Sequence, residues 1–175
     1  MTAFLLRTND DAGWLPMANA GRLLTAGGPS QSPEHRGLRA STLILEYPDL
    51  AAATAAYRDV AGESAVAVEG LTASTLGGAF VVSTFDVADP AMFQADYVPA
   101  TIASIHDFGG RLLAAGGAAE VLAGEDFRSR TVLFEFVDLP TALAWYHSPG
   151  YAPLIKVRQA CTEGALVILD AAVPD

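Results

Sequence analysis

The sequence predicts an α+β fold: two tandem ferredoxin-like units of β-α-β-β-α-β order, packed sheet to sheet as an intramolecular pseudo-dimeric α/β barrel. Three observations predict it. The first is an internal repeat, in which Gly21-Arg22-Leu23-Leu24-Thr25-Ala26-Gly27-Gly28 returns as Gly110-Arg111-Leu112-Leu113-Ala114-Ala115-Gly116-Gly117, seven of eight positions identical at an offset of 89. The second is that register holds beyond this block. The same offset pairs Arg39 with Arg128, Thr42 with Thr131, Glu46 with Glu135, Asp49-Leu50 with Asp138-Leu139, and Tyr57 with Tyr146. Self-similarity sustained over that length marks a tandem duplication. The third is the pattern of the second copy, where short apolar runs rich in β-branched residues alternate with helical spacings in β-α-β-β-α-β order.

The fuller second unit gives the plan. Phe80–Phe85 reads as its first strand. Asp89-Pro90 starts a helix, with an N-cap carboxylate followed by proline at the first helical position. Met92, Phe93, Tyr97, Ile102 and Ile105 continue it, Pro99 is expected to kink it, and Gly109-Gly110 stops it. Arg111–Ala115 is the second strand, with Glu120-Val121-Leu122 as its expected extension. Arg130–Val137 is the third strand, Asp138 caps a helix running to about His147, Ser148-Pro149-Gly150 breaks it, and Tyr151–Thr162 is a further helical piece. Ala165–Asp170 closes the unit.

The first unit opens with Ala3–Arg7, which matches Ala79–Ser83 at the shorter offset of 76. It has therefore lost about 13 residues around its first helix, expected over Asp10–Ala20, and it ends on a strand at Ala65–Glu69. The predicted division is residues 1–71, a linker over 72–78 that is small, polar and ends in glycine, and residues 79–175. Each unit would leave one apolar sheet face bare, and the other copy is the cover at hand.

Composition narrows the function classes. The chain has 175 residues, 51% hydrophobic and 17% charged, which can build a core. Twenty acidic residues against ten basic ones, a net charge of −10, oppose nucleic acid and anionic membrane as partners. No apolar run reaches the length of a membrane span, and the N-terminal residues lack a signal-peptide pattern. A cytoplasmic protein is expected, as a monomeric pseudo-dimer or a homodimer. The single Cys161 excludes an internal disulfide and reads as a small buried residue. The Gly27-Gly28 and Gly116-Gly117 pairs lead into hairpins, not helix N-termini, so they are not phosphate loops. No cofactor and no metal are predicted, since His35, His106 and His147 form no ligand spacing.

The repeated pair Arg111 and Glu135, echoed by Arg22 and Glu46, falls on neighbouring strands. One reading is an ion pair that fixes register; the other is an arginine that binds a small anionic group, with Glu135 orienting it or acting as general base. Trp145, Tyr146, Ser148 and Tyr151 suit either a pocket wall or a packed interface. Arg158 either closes that pocket or lies in solvent. The candidate catalytic residues are His106, Glu135 and Tyr146, and the candidate ligand-binding residues are Arg111, Trp145, Ser148, Tyr151 and Arg158. His106 at a helix C-terminus is the foremost candidate acid or base, with simple helix-dipole stabilisation as the alternative.

The second unit resembles the domain of unknown function 1330 (DUF1330) family, within the dimeric α/β-barrel superfamily. The resemblance runs through Asp89-Pro90, Gly109-Gly110-Arg111-Leu112-Leu113, Gly116-Gly117, Glu120-Val121-Leu122-Ala123-Gly124, Phe134-Glu135-Phe136, Trp145-Tyr146-His147-Ser148-Pro149-Gly150-Tyr151, Arg158 and Glu163-Gly164. Gly150 stands where family members often carry an acidic residue. The first unit keeps only the Gly-Arg-Leu-Leu block and Val68-Glu69-Gly70-Leu71, and lacks the Trp-Tyr segment. The resemblance implies a ferredoxin-like unit that pairs with a second one, and it brings no activity with it. Two functions follow as expectations: a small-molecule site in the second unit, either as a cofactor-independent enzyme or as a binding pocket for a small, anionic organic molecule, and a non-catalytic module whose first unit only completes the barrel. Haem binding through His106 or His147 is a lesser reading.

Overall fold

The structure, a computed structural model, describes residues 1–10, 21–26, 30–31, 38, 41–58, 61–128 and 130–171. The expected helix over Asp10–Ala20, the Gly27-Gly28 pair, His35 and Arg39 fall outside the described residues, Asp10 excepted.

Among the described residues, ten strands form two antiparallel five-stranded sheets. The first contains β1 (Thr2–Asn9), β2 (Arg22–Ala26), β4 (Ser41–Tyr47) and β5 (Ser64–Gly70), in the order β2-β4-β1-β5. The second contains β6 (Ala79–Val87), β7 (Arg111–Ala115), β9 (Arg130–Phe136) and β10 (Thr162–Asp170), in the order β10-β6-β9-β7. Counted within each set of four, both orders are the same, with the fourth and third strands flanking the first and the second strand outermost. The remaining strands cross between sheets. β8 (Ala119–Ala123) pairs with β5, and the short β3 (Ser30–Gln31) pairs with β10.

The alternation along each strand explains the layers. Phe4, Leu6, Ile44, Val66 and Val68 of one sheet meet Phe80, Val82, Leu133, Val167 and Leu169 of the other in a core between the sheets. The opposite face of β6, β9 and β10 carries Val81, Phe85, Phe134, Phe136, Leu166 and Ile168 against the helices. Helix α1 (Leu50–Ala56), capped by Asp49, covers the first sheet through Ala53 and Ala56.

The second sheet is covered by α2 (Pro90–Met92), a π-helical turn (Phe93–Tyr97), α3 (Val98–Asp107), α4 (Leu139–Tyr146) and α5 (Ala152–Cys161). Asp89 and Asp138 cap α2 and α4 as expected, and Gly109 ends the α3 region with φ of 70°. Thr141 donates hydrogen bonds to Asp138, which hold that carboxyl below its ordinary range.

Two expectations need correction. Pro99 does not interrupt a regular α-helix. The helical segment over 90–107 widens just before it, where the Val98 N–H donates to the Phe93 carbonyl in a π turn. That turn accommodates Pro99, which has no N–H to give to the preceding turn. Nor does Glu120-Val121-Leu122 extend β7. Gly116, with φ of 70°, turns the chain away, and Glu69 and Ala118 bond across to seat β8 on the first sheet.

Candidate functional site

A cavity of about 340 Å³ lies between the second sheet and the helical segment Phe93–Ile105. Its floor is the helix-facing side of the sheet: Ser83 and Phe85 on β6, Leu112 and Ala115 on β7, and Arg130, Val132 and Phe134 on β9. Its roof is Phe93, Gln94, Tyr97 and Val98 from the π turn and its edge, continued by Thr101, Ile102 and Ile105 from α3. The exposed Leu71 completes the lining. The π turn widens the helix at this point; such turns recur at functional sites.

The wall is apolar and aromatic. Phe85 and Phe93 lie 5.4 Å apart by ring centroids, and Phe93 and Tyr97 lie 5.3 Å apart. Within this wall stand two hydroxyls, Ser83 Oγ and Thr101 Oγ1, both buried and without a hydrogen-bond partner among the described residues. A buried polar group left unpaired costs about 1–3 kcal/mol, so such atoms call for an explanation. The half-buried Arg130 guanidinium stacks over Phe93 at 5.3 Å. Gly116 makes room for it, since a Cβ there would come within 2.8 Å of Arg130 Nη1.

Behind the wall, Tyr97 OH is 3.1 Å from Tyr151 OH. Burial pushes the Tyr151 hydroxyl well above the usual tyrosine range; Tyr97 adds to the shift, and the hydrogen-bonded Arg158 opposes it.

None of the eight residues singled out in the sequence lines this cavity. Arg111 and Glu135 are cross-strand neighbours with Nη1 and Oε1 3.7 Å apart, so the expected ion pair is present. Glu135 is fully buried and accepts from Ser74 Oγ at 2.6 Å, Thr75 N at 3.1 Å and Gly77 N at 3.2 Å. Arg111 also donates to Thr75 and Thr72. Arg22 and Glu46 pair likewise, and Arg22 donates to the Ser74 carbonyl while Glu46 accepts from the Ser74 N–H. Both pairs thus grip the segment over 72–78.

Trp145 and Tyr151 are fully buried, with centroids 4.1 Å apart, and Tyr146 packs beside them. Trp145 Nε1 donates to Ser104 Oγ, and Ser148 Oγ accepts from the Tyr151 N–H. Arg158 is buried, not in solvent. His106 and His147 are exposed. No cluster of three or more metal-ligating side chains occurs among the described residues.

The family model described as a domain of unknown function (DUF1330) matches residues 78–172, more than half of the chain. The chain belongs to the DUF1330 family. The match contains every cavity-lining residue except Leu71. No curated protein matches the chain. Among solved structures, a crystal structure described as a "putative monooxygenase" from Lactobacillus acidophilus NCFM aligns with a TM-score of 0.48 at 9% identity, over 96% of this chain and 92% of that one. A likeness that remote carries nothing further.

Within the family region, sequence reasoning missed Ser83, Thr101 and Arg130. One signal pointed to Ser83. In the match of Ala3–Arg7 to Ala79–Ser83, the last position changes from arginine to serine. In the first sheet Arg7 is fully buried and bonds Glu63, with Nε to Oε2 at 2.9 Å. No helix among the described residues is long and apolar enough to cross a membrane.

Proposed function

We propose that this DUF1330 protein binds a small organic molecule in one pocket, the cavity beneath the Phe93–Ile105 segment. The observation that carries this is an aromatic cavity lined by Ser83 and Thr101, whose hydroxyls are buried and unpartnered in its wall. A volume of about 340 Å³ falls at the low end of the roughly 300–1,000 Å³ range of ligand sites, so the ligand is of one or two rings.

The chain is read as two ferredoxin-like units, residues 1–71 and 79–175, forming an intramolecular pseudo-dimeric α/β barrel. The matched strand orders support this, as do two equivalent cross-strand hydroxyl pairs, one within each sheet: Thr84 with Thr131 at 3.0 Å, and Thr8 with Thr42 at 3.5 Å. The first unit is then the scaffold copy. Where the second has Ser83 and open volume, the first has the Arg7–Glu63 ion pair.

Binding is favoured over acid–base catalysis because the candidate acid and base His106 and Glu135 do not reach the cavity. In this reading Arg111 and Glu135 hold the linker, and Trp145, Tyr146, Ser148 and Tyr151 support the pocket from behind. A catalytic reading rests on one observation, the Tyr97–Tyr151–Arg158 hydrogen-bond chain that leads out of the cavity.

Ligand-observed NMR with a mixture of aromatic fragments tests the pocket. Wild-type protein is expected to give saturation transfer, and Ala115→Phe, which fills the cavity, to abolish it with the thermal midpoint retained. Undiminished transfer in Ala115→Phe would place binding elsewhere.

A further inference from the structure

We propose that the ligand is an aromatic monocarboxylate, held by its carboxylate at Arg130 and by a polar substituent at Ser83 and Thr101. This rests on the single-pocket reading above. Arg130 carries the charge of the cavity lining, and the carboxylate ion pairs among the described residues are made by Arg7, Arg22, Arg111 and Arg128 instead. The cation two residues before it, Arg128, is the one that faces an acid, with Nε 3.7 Å from Asp86. Arg130 instead sits over Phe93, with its guanidinium carbon 5.3 Å from the ring centroid and its Nη1 against Gly116, where a Cβ would come within 2.8 Å. A guanidinium fixed in this way presents a fork that matches a carboxylate in two parallel hydrogen bonds.

The rest of the lining sets the body of the ligand. Phe85, Phe93, Tyr97 and Phe134 offer ring faces and edges, which favour a flat aromatic system over a flexible chain. The order of the polar groups follows from the sheet. Arg130 is the cross-strand partner of Phe85, and Ser83 lies two residues back along β6 with Val132 opposite, so the two enter the floor from neighbouring strands. A ring bearing a carboxylate on its Arg130 side and a hydroxyl or carbonyl on its Ser83 side suits that order.

Charge restricts the anion further. One guanidinium serves one carboxylate, and a protein of net charge −10 repels multiply charged anions. Phosphate esters and dicarboxylates are therefore poor candidates.

Isothermal titration calorimetry with hydroxynaphthoate, its neutral methyl ester and octanoate tests the assignment. Wild-type protein is expected to bind hydroxynaphthoate at least about tenfold more tightly than the ester, the value of charge-assisted hydrogen bonds in a partly buried site. Arg130→Gln should remove that preference and leave ester binding within about threefold. Arg130→Lys, which keeps the charge without the fork, should retain part of the preference, and it replaces Arg130→Gln if that variant does not fold. Octanoate should bind at least about tenfold more weakly than hydroxynaphthoate. Equal binding of acid and ester by the wild type, or a preference that survives Arg130→Gln, would overturn the carboxylate assignment while leaving the pocket intact. Equal binding of octanoate would overturn the aromatic assignment. If neither naphthyl probe binds the wild type, the pocket reading itself fails, and this inference with it.

Discussion

Arg7 and Ser83 occupy equivalent positions on the first strands of the two sheets, and their chemistry separates the two halves of the chain. Arg7 is 0% exposed and Glu63 is 6% exposed, so their charges survive burial through the short bonds between them. Removing one partner strands the other. Arg7→Leu is expected to cost about 3–5 kcal/mol, whereas Arg7→Leu combined with Glu63→Met should recover most of that loss, because an apolar pair of similar volume suits the site. Urea unfolding of the two variants measures both. A double variant as unstable as the single one would mean that the pair is needed for more than its own neutralisation.

Tyr151 gives a pH test at the same scale. Its folded-state pKa lies above the ordinary value of about 10, so the unfolded chain ionises first as pH rises. The folded state then holds the extra proton, and the stability it contributes is intact below about pH 10 and is lost as pH rises toward the folded pKa. Tyr151→Phe should show a shallower alkaline decline of urea midpoint than the wild type. Identical slopes would contradict the assignment. The residues that looked most chemical in the sequence, Arg111 and Glu135, were legible as a pair because the duplication repeats them. Their use was not legible, because the groups that satisfy Glu135 come from Ser74, Thr75 and Gly77 in a segment with no pattern of its own.

At the scale of elements, local signals carried most of the fold. Asp89 and Asp138 were readable as caps because each carboxylate serves an N–H three residues on; Asp49, the repeat partner of Asp138, does the same. The strands β6 and β9 were readable as apolar, β-branched runs because both of their faces are buried, each against a different layer. Two features had no local signature. β8 is an unremarkable apolar run whose partner, β5, lies more than 50 residues earlier, so only the tertiary turn at Gly116 reveals the exchange. The π turn follows from Pro99, but proline alone states that the bonding pattern must adjust and not where. The adjustment fell one turn upstream, and it is the shifted turn that places Phe93, Gln94 and Tyr97 over the cavity. The site was therefore hidden in the sequence for a physical reason: Ser83 and Arg130 on the sheet and Gln94 and Thr101 on the helix gain meaning only when that irregular helix is laid across the strands.

The whole molecule is held by two devices that cross the linker. One is the inter-sheet core, in which Phe80, Val82, Leu113, Leu133, Val167 and Leu169 are buried against the first sheet. Each such side chain is worth about 1.5–3 kcal/mol when fully removed from water, so this face cannot be left bare without a large loss. The other is Ser74, whose N–H donates to Glu46 and whose hydroxyl donates to Glu135, so that a single linker residue joins the two repeated acids. If the units are equivalent folding modules, residues 79–175 produced alone retain the helix-facing core but lose the cover of the other face and the partner strand of β8. That fragment is expected to associate with a second copy of itself, sheet against sheet, in the arrangement the intact chain achieves internally. Sedimentation equilibrium should show a concentration-dependent dimer for the fragment, and a charged substitution such as Val82→Lys at the centre of the exposed face should abolish it. A fragment that remains a folded monomer with no affinity for an apolar dye would show that its sheet does not need the first unit, and the paired-unit reading of the chain would fall.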